Sequence, residues 1–180
     1  MVLVFGLGNP GNHYHSSRHN LGFMAIDYLV HVYRCPDLDY EYNSLRTTAH
    51  VCDLDLLLIK PQTYMNHSGK AVLSFCKAHK ILPKQVVVIH DDVDLPFGSV
   101  RVKSKGGTAG HHGIDSIHEV LETDEFHRIR FGIGRPLDPK VDISDYVLAP
   151  FSPEEIKNLP HFYPDIQKAL EKIVAGLKAP

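Results

Sequence analysis

Apolar runs of strand length alternate along this chain with stretches of helical period. Met1 to Phe5 is a continuous apolar run that reads as a buried strand. Leu21, Met24, Ala25, Tyr28 and Val32 recur at helical spacing, which predicts a helix over 21–33 that ends before Pro36. Segments 47–51 and 56–60, joined by Cys52-Asp53-Leu54-Asp55, predict a hairpin. A polar loop over 61–66 then enters a helix with Val72, Phe75, Cys76 and His79 on one face and Asn66 or Ser68 as candidate cap. The run Gln85-Val86-Val87-Val88-Ile89-His90 has the character of a central parallel strand covered on both faces. A strand over 99–103, a glycine-rich loop over 106–113, a helix from about 114 to 121 and a strand over 128–133 follow. Ser152-Pro153-Glu154-Glu155 is a capping box with proline at the first helical position. Beyond it Ile166, Ala169, Leu170, Ile173, Val174 and Leu177 stripe a last helix, within a helical region spanning 152–178. No repeat or linker interrupts the pattern. It predicts one α/β domain over 1–180, a three-layer α/β/α sandwich with a mixed, centrally parallel β-sheet.

Composition narrows this picture. With 180 residues, 43% of them hydrophobic, the chain can bury one substantial core. A net charge of −2 does not announce a nucleic-acid binder, so any RNA affinity must come from a local patch. Cys35, Cys52 and Cys76 are widely spaced, without a C-x-x-C, and read as small hydrophobes in a reducing compartment. The apolar start is too short for a signal peptide and lacks a basic flank, and no run approaches a membrane span. A cytoplasmic location without membrane contact is expected.

The candidate chemistry begins where the first strand turns toward the first helix, the place where open α/β sheets bind ligands. Gly6, Gly8 and Gly11 match a dinucleotide fingerprint literally. That reading needs a helix opening at the last glycine, whereas Pro10-Gly11 form a turn and the apolar periodicity starts only at Leu21. The competing reading is that the turn presents Asn9, Tyr14 and His19 to a cleft. A histidine near a helix N-terminus feels the positive end of the dipole, which favours the neutral imidazole a general base requires. Asp91, at the tip of the central strand, is placed to accept a hydrogen bond from one imidazole nitrogen and free the other.

Four ordered blocks sharpen the second reading. They are G-L-G-N-P-G with Tyr14 and S-R-H-N-x-G, from Gly6 to Gly22; K-P-x-T-Y-M-N-x-S-G, from Lys60 to Gly69; H-D-D-x-D-L-P-x-G, from His90 to Gly98; and G-G-x-x-G-H-H-G, from Gly106 to Gly113. With the segment from Arg128 to Pro136, they resemble the bacterial-type peptidyl-tRNA hydrolases. The resemblance implies a monomeric, metal-independent enzyme without cofactor that hydrolyses the ester between a peptide and the 3′-terminal ribose of tRNA. It implies that Asp91 partners the catalytic His19. Asn9, Met65, Asn66 and His112 line the peptide and oxyanion side, and Tyr14 the wall meeting the terminal nucleotide. It further implies that Arg101, Lys103, Lys105 and Arg130 grip the 5′-phosphate and acceptor stem, and that a lid covers about 138–150. Two departures stand out. Ser17 replaces the usual threonine, keeping the hydroxyl, and His112 stands where asparagine is usual, with one donor and one acceptor in place of an amide.

Alternatives remain at this level. The same scaffold also serves a non-catalytic RNA-binding protein. Thirteen histidines beside Asp91, Asp92 and Asp94 suggest a metal-dependent hydrolase, but without H-E-x-x-H or tight ligand spacing. Segments 95–114 and 128–135 carry basic residues without acids, which suggests a phosphate track rather than an ordinary solvated face. Histidine, unlike asparagine, gains a charge on acidification. The parent should therefore lose activity faster than His112→Asn as pH falls; superimposable acid limbs in the two pH–rate profiles would discard a role for that charge.

Overall fold

The computed structural model describes residues 1–178. Its sheet has seven strands in the order β2-β3-β4-β1-β5-β7-β6. The strands are β1 (Val2–Gly6), β2 (Asp39–Glu41), β3 (Ser44–Val51), β4 (Leu54–Pro61), β5 (Val86–Asp92), β6 (Val100–Lys103) and β7 (His127–Gly132). The four inner strands, β4, β1, β5 and β7, run parallel, while β2, β3 and β6 pair antiparallel at the margins. The expected sandwich is therefore present. Alternation along β1 sends Val2 and Val4 to one face, with α1 (Leu21–Val32) and α5 (Pro153–Lys178). Leu3 and Phe5 face the other layer, α2 (Ser68–His79) and α3 (His112–Leu121). No helix among the described residues is long and apolar enough to cross a membrane.

Local details differ from the periodicity in instructive ways. The β3–β4 turn is only Cys52-Asp53, both at positive φ (52° and 60°), the backbone of a tight two-residue hairpin. Strand pairing therefore extends through Leu54 and Asp55, which the residue pattern assigns to the turn. Tyr42-Asn43 make a second such turn at φ 47° and 53°, creating the short edge strand β2 that no apolar pattern announces. Neither candidate cap serves α2: Ser68 Oγ donates to the Met65 carbonyl, and Asn66 lies earlier, in the 3-10 turn Met65–His67. The capping box at Ser152 does form, with Ser152 N donating to Glu155 Oε1 at 2.9 Å and Glu155 N to Ser152 Oγ at 3.1 Å. From there α5 continues through Pro160 and Pro164. Phe162, between them, packs into a cluster with Phe97 and Phe131.

Two glycines of the literal dinucleotide pattern, Gly6 and Gly8, have a packing explanation, while Gly11 serves a turn at φ 101°. A side chain on Gly6 would collide with the Gly22 carbonyl, and one on Gly8 with the Phe23 ring. Gly22 itself lies on the backbone of Leu7 and Ile89, where the Leu7 amide donates to the Ile89 carbonyl at 3.1 Å. These contacts seat the first turn of α1 directly on the junction of β1 and β5. Because the obstructing atoms are backbone, Gly22→Ala should destabilise the fold by about 3 kcal/mol. Urea unfolding should show a lowered midpoint with unchanged slope.

Candidate active site

The parallel strands β1, β4, β5 and β7 deliver their C-terminal ends to one edge of the sheet, and the four motif blocks meet there. Asp91 lies inside β5, one residue from its end, paired in register with Phe131. His19 occupies the 3-10 turn Arg18–Asn20 just before α1. Its Nδ1–H donates to the Asp91 carboxylate, 2.9 and 3.0 Å from the two oxygens. That bond leaves His19 Nε2 as the unprotonated nitrogen of the neutral ring.

A second imidazole, not anticipated from the sequence, completes the arrangement. His111 is the N-cap of α3: its Nδ1 accepts from the amides of Gly113 (3.1 Å) and Ile114 (3.3 Å). Its proton therefore sits on Nε2, which donates to Asp91 Oδ1 at 2.9 Å. A third ring, His90, donates Nδ1–H to the Asp91 main-chain carbonyl at 2.8 Å. The available clue for His111 is a polar residue immediately before a helix start, a signal masked by its neighbour His112.

Burial and charge act in opposite directions here. Burial alone would raise the Asp91 carboxyl, which is 2% exposed, but the His19 and His111 imidazoles hold it far below the usual carboxylate range. Burial alone would lower His19, and the Asp91 carboxylate outweighs it, so His19 titrates above an ordinary histidine. This corrects the expectation that a helix dipole keeps His19 depressed: the carboxylate is in direct contact. Burial, reinforced by the neighbouring His111, pushes His90 down to about 3 and keeps it neutral. His19, Asp91 and His111 could geometrically hold a metal ion, their ligand atoms lying within 4.8 Å of one another. The cap bonds disfavour that use, because they commit His111 Nε2 to carrying a proton.

The residues predicted for the peptide side and the nucleotide wall line a two-lobed cleft around His19. One lobe, about 430 Å³, brings together Asn9, Tyr14, Met65, Asn66 and His112 with Tyr64 and the helix α4 (Ile143–Leu148). The other, about 230 Å³, is bounded by Asp91, Asp92, Val93 and the loop from Thr108 to His112. Asn9 is held at both ends: its backbone exchanges two hydrogen bonds with the Asn20 amide (2.8 and 2.9 Å), and its Oδ1 accepts from Met65 N at 2.7 Å. With its oxygen so committed, Asn9 presents its amide N–H groups to the lobe. Met65 is buried, its sulfur against Gly113, where a side chain would displace it. Asn66 and His112 are exposed on the rim, and His112 Nδ1 is 4.0 Å from Asp115 Oδ2. Asn20 gives no sign of a role in the sequence because its amide serves Asn9 rather than the cleft.

Helix α4 falls within the segment expected to form a lid, and its Ser144 and Val147 border both lobes. Arg18, beside His19, fastens it. The guanidinium donates to the Tyr146 carbonyl (3.2 Å), pairs with Glu155 (3.0 Å) and lies 4.2 Å from the centre of the Tyr146 ring.

At the β6–β7 margin of the sheet, register places Arg101 beside Arg130 and Lys103 beside Arg128. The acid-free appearance of segment 128–135 does not survive folding. Arg130 pairs with Asp92 at 2.9 Å, Arg135 pairs with Asp94 at 2.6 Å, and Arg128 is buried with Nη1 on the Gly107 carbonyl at 2.8 Å. Arg101, Lys103 and Lys105 have no carboxylate partner among the described residues.

Against known proteins, the model of the peptidyl-tRNA hydrolase family matches residues 3–179. The chain belongs to this family. Membership makes it an ester hydrolase acting on peptidyl-tRNA. Peptidyl-tRNA hydrolases of Sulfurihydrogenibium sp. and Aquifex aeolicus are each 47% identical to it, over 84% and 86% of this chain and 79% and 80% of theirs. That of Bacillus subtilis is 40% identical over 99% of this chain and 91% of its own. The crystal structure of the Acinetobacter baumannii peptidyl-tRNA hydrolase superimposes with a TM-score of 0.89 at 31% identity, covering 98% of this chain and 90% of that one. Within this peptidyl-tRNA hydrolase fold, the Asp91 contact should set the pH response. With His19 as the titrating group, the acid limb of kcat/KM is expected above the ordinary histidine value, because its carboxylate partner raises its pKa. Asp91→Asn should move that limb to lower pH and reduce kcat; an unmoved limb would place the titrating group elsewhere.

Proposed function

We propose that this chain hydrolyses the ester joining a peptide to the 3′-terminal ribose of tRNA with His19 as the general base. The observation that carries this reading is the His19 Nδ1–Asp91 hydrogen bond, which leaves Nε2 facing a cleft lined with amide donors. Nε2 takes a proton from water as the water oxygen attacks the ester carbonyl. The developing oxyanion is met by N–H donors from Asn9 and Asn66, and collapse of the tetrahedral intermediate expels the ribose oxygen. His19 returns the proton to that oxygen, and Asp91 stabilises the transient imidazolium throughout. No metal is needed, and the proton committed to His111 Nε2 supports this. Tyr14 and Met65 shape the lobe wall, His112 takes part as a rim donor in place of an amide, and α4 serves as the lid. Arg101, Lys103, Lys105 and Arg130 contact the 5′-phosphate and acceptor stem, with Arg130 exchanging its Asp92 partner for phosphate.

The test is release of free tRNA from N-acetyl-aminoacyl-tRNA by the purified protein. His19→Ala should slow turnover by about 10²–10⁴-fold, and chelation should leave the parent rate unchanged. An alanine variant as fast as the parent would overturn the mechanism. Absence of turnover by the parent would favour RNA binding without catalysis.

A further inference from the structure

From Leu56 to His90 the chain carries five lysines and no carboxylate, within a protein of net charge −2. Lys60 is withdrawn from the surface: its Nζ pairs with Asp27 over the Phe23 ring. Lys70, Lys77, Lys80 and Lys84 are all exposed. None of the four has a carboxylate within ion-pair distance among the described residues. An ordinary solvated helix interleaves acids with its lysines and gains from pairs three or four residues apart. α2 forgoes them, with no acid within four residues of Lys70 or Lys77.

Placement gives this stripe a direction. α2 starts at Ser68, two residues beyond Asn66 on the cleft rim, and Lys70 lies within its first turn. Lys77 shares the face of Lys70, about 10.5 Å along the axis. Lys80 stands at the left-handed C-cap, and Lys84 lies in the following turn Pro83–Gln85. The line thus begins at the mouth of the cleft and runs outward. Between it and the Arg101–Lys103 strip lies α3, whose exposed Asp115 and Glu119 divide the two positive surfaces.

We propose that Lys70, Lys77, Lys80 and Lys84 form a second track that contacts backbone phosphates of the tRNA body, separate from the strip at β6 and β7. The proposal rests on the hydrolase mechanism above for the identity of the RNA. The recognising chemistry is a row of ammonium groups against a polyanion; the acids of α3 hold the RNA away from the surface between the tracks. Such contacts add affinity without base readout and release counterions when they form.

The experiment compares the parent with the triple variant Lys70→Gln/Lys77→Gln/Lys84→Gln. Equilibrium binding of deacylated tRNA across a salt series needs no turnover, so it reads the track even if the hydrolytic mechanism fails. The slope of log affinity against log salt should fall in magnitude by about 2–3, at roughly 0.7–0.9 for each phosphate the variant no longer neutralises. In turnover, KM for N-acetyl-aminoacyl-tRNA should rise, while KM for an N-acetyl-aminoacyl ester of the terminal trinucleotide stays at the parent value. Placing arginine at the three positions should restore the slope. An unchanged salt slope overturns the proposal, as does an equal rise in KM on the full and trinucleotide substrates. Binding to anionic phospholipid vesicles is measured in parallel, and a variant that loses it while keeping tRNA affinity overturns the proposal as well.

Discussion

A single buried carboxylate organises the active end of this molecule. Asp91 accepts hydrogen bonds from His19 and His111, and its main chain accepts another from His90, so three imidazoles converge on one residue. An ionised carboxylate at this depth is tolerable only while its donors stay in place; removing either partner would leave charge stranded in a low-dielectric interior. The same bonds fix the tautomer of each ring. Site geometry and local stability are therefore one constraint seen from two sides.

That constraint propagates through close backbone packing. Gly22 brings α1 onto the β1–β5 junction, which sets His19 over Asp91. Asn20 holds the Asn9 backbone, Asn9 holds the Met65 amide, and Met65 packs on Gly113 at the start of α3. Segments some hundred residues apart are thus linked by contacts that each need a small or amide-bearing residue. Arg18 extends the chain of contacts to α4, since the residue adjoining His19 also holds a carbonyl of that helix. The positions of α4 and of His19 share a backbone turn.

The surface complements this interior. Acids and bases are nearly balanced overall, yet folding neutralises Arg130 and Arg135 against Asp92 and Asp94 while leaving the lysines of α2 and the β6 edge unpaired among the described residues. Net charge consequently understates what a polyanion meets near the cleft. Local pairing, not composition, decides where positive potential remains.

Residue order was enough to specify the layers, most helix positions, the capping box at Ser152 and the candidate pair His19 and Asp91. Those features depend on local period, on hydrogen bonds within a turn, or on residue types gathered in short blocks. It did not reveal β2 or the tight turn at Cys52-Asp53, because positive φ at a tyrosine or cysteine is imposed by strand pairing rather than favoured by the residue. Nor did it reveal His111, Asn20 or Arg18 as members of the site, or the burial of Arg128. Each of those depends on which atoms face one another once the strands are assembled. The pairing of His19 with Asp91 was legible, but the direction of the His19 shift came from the folded arrangement, because whether a carboxylate in contact outweighs burial depends on the distances and depth of the assembled site.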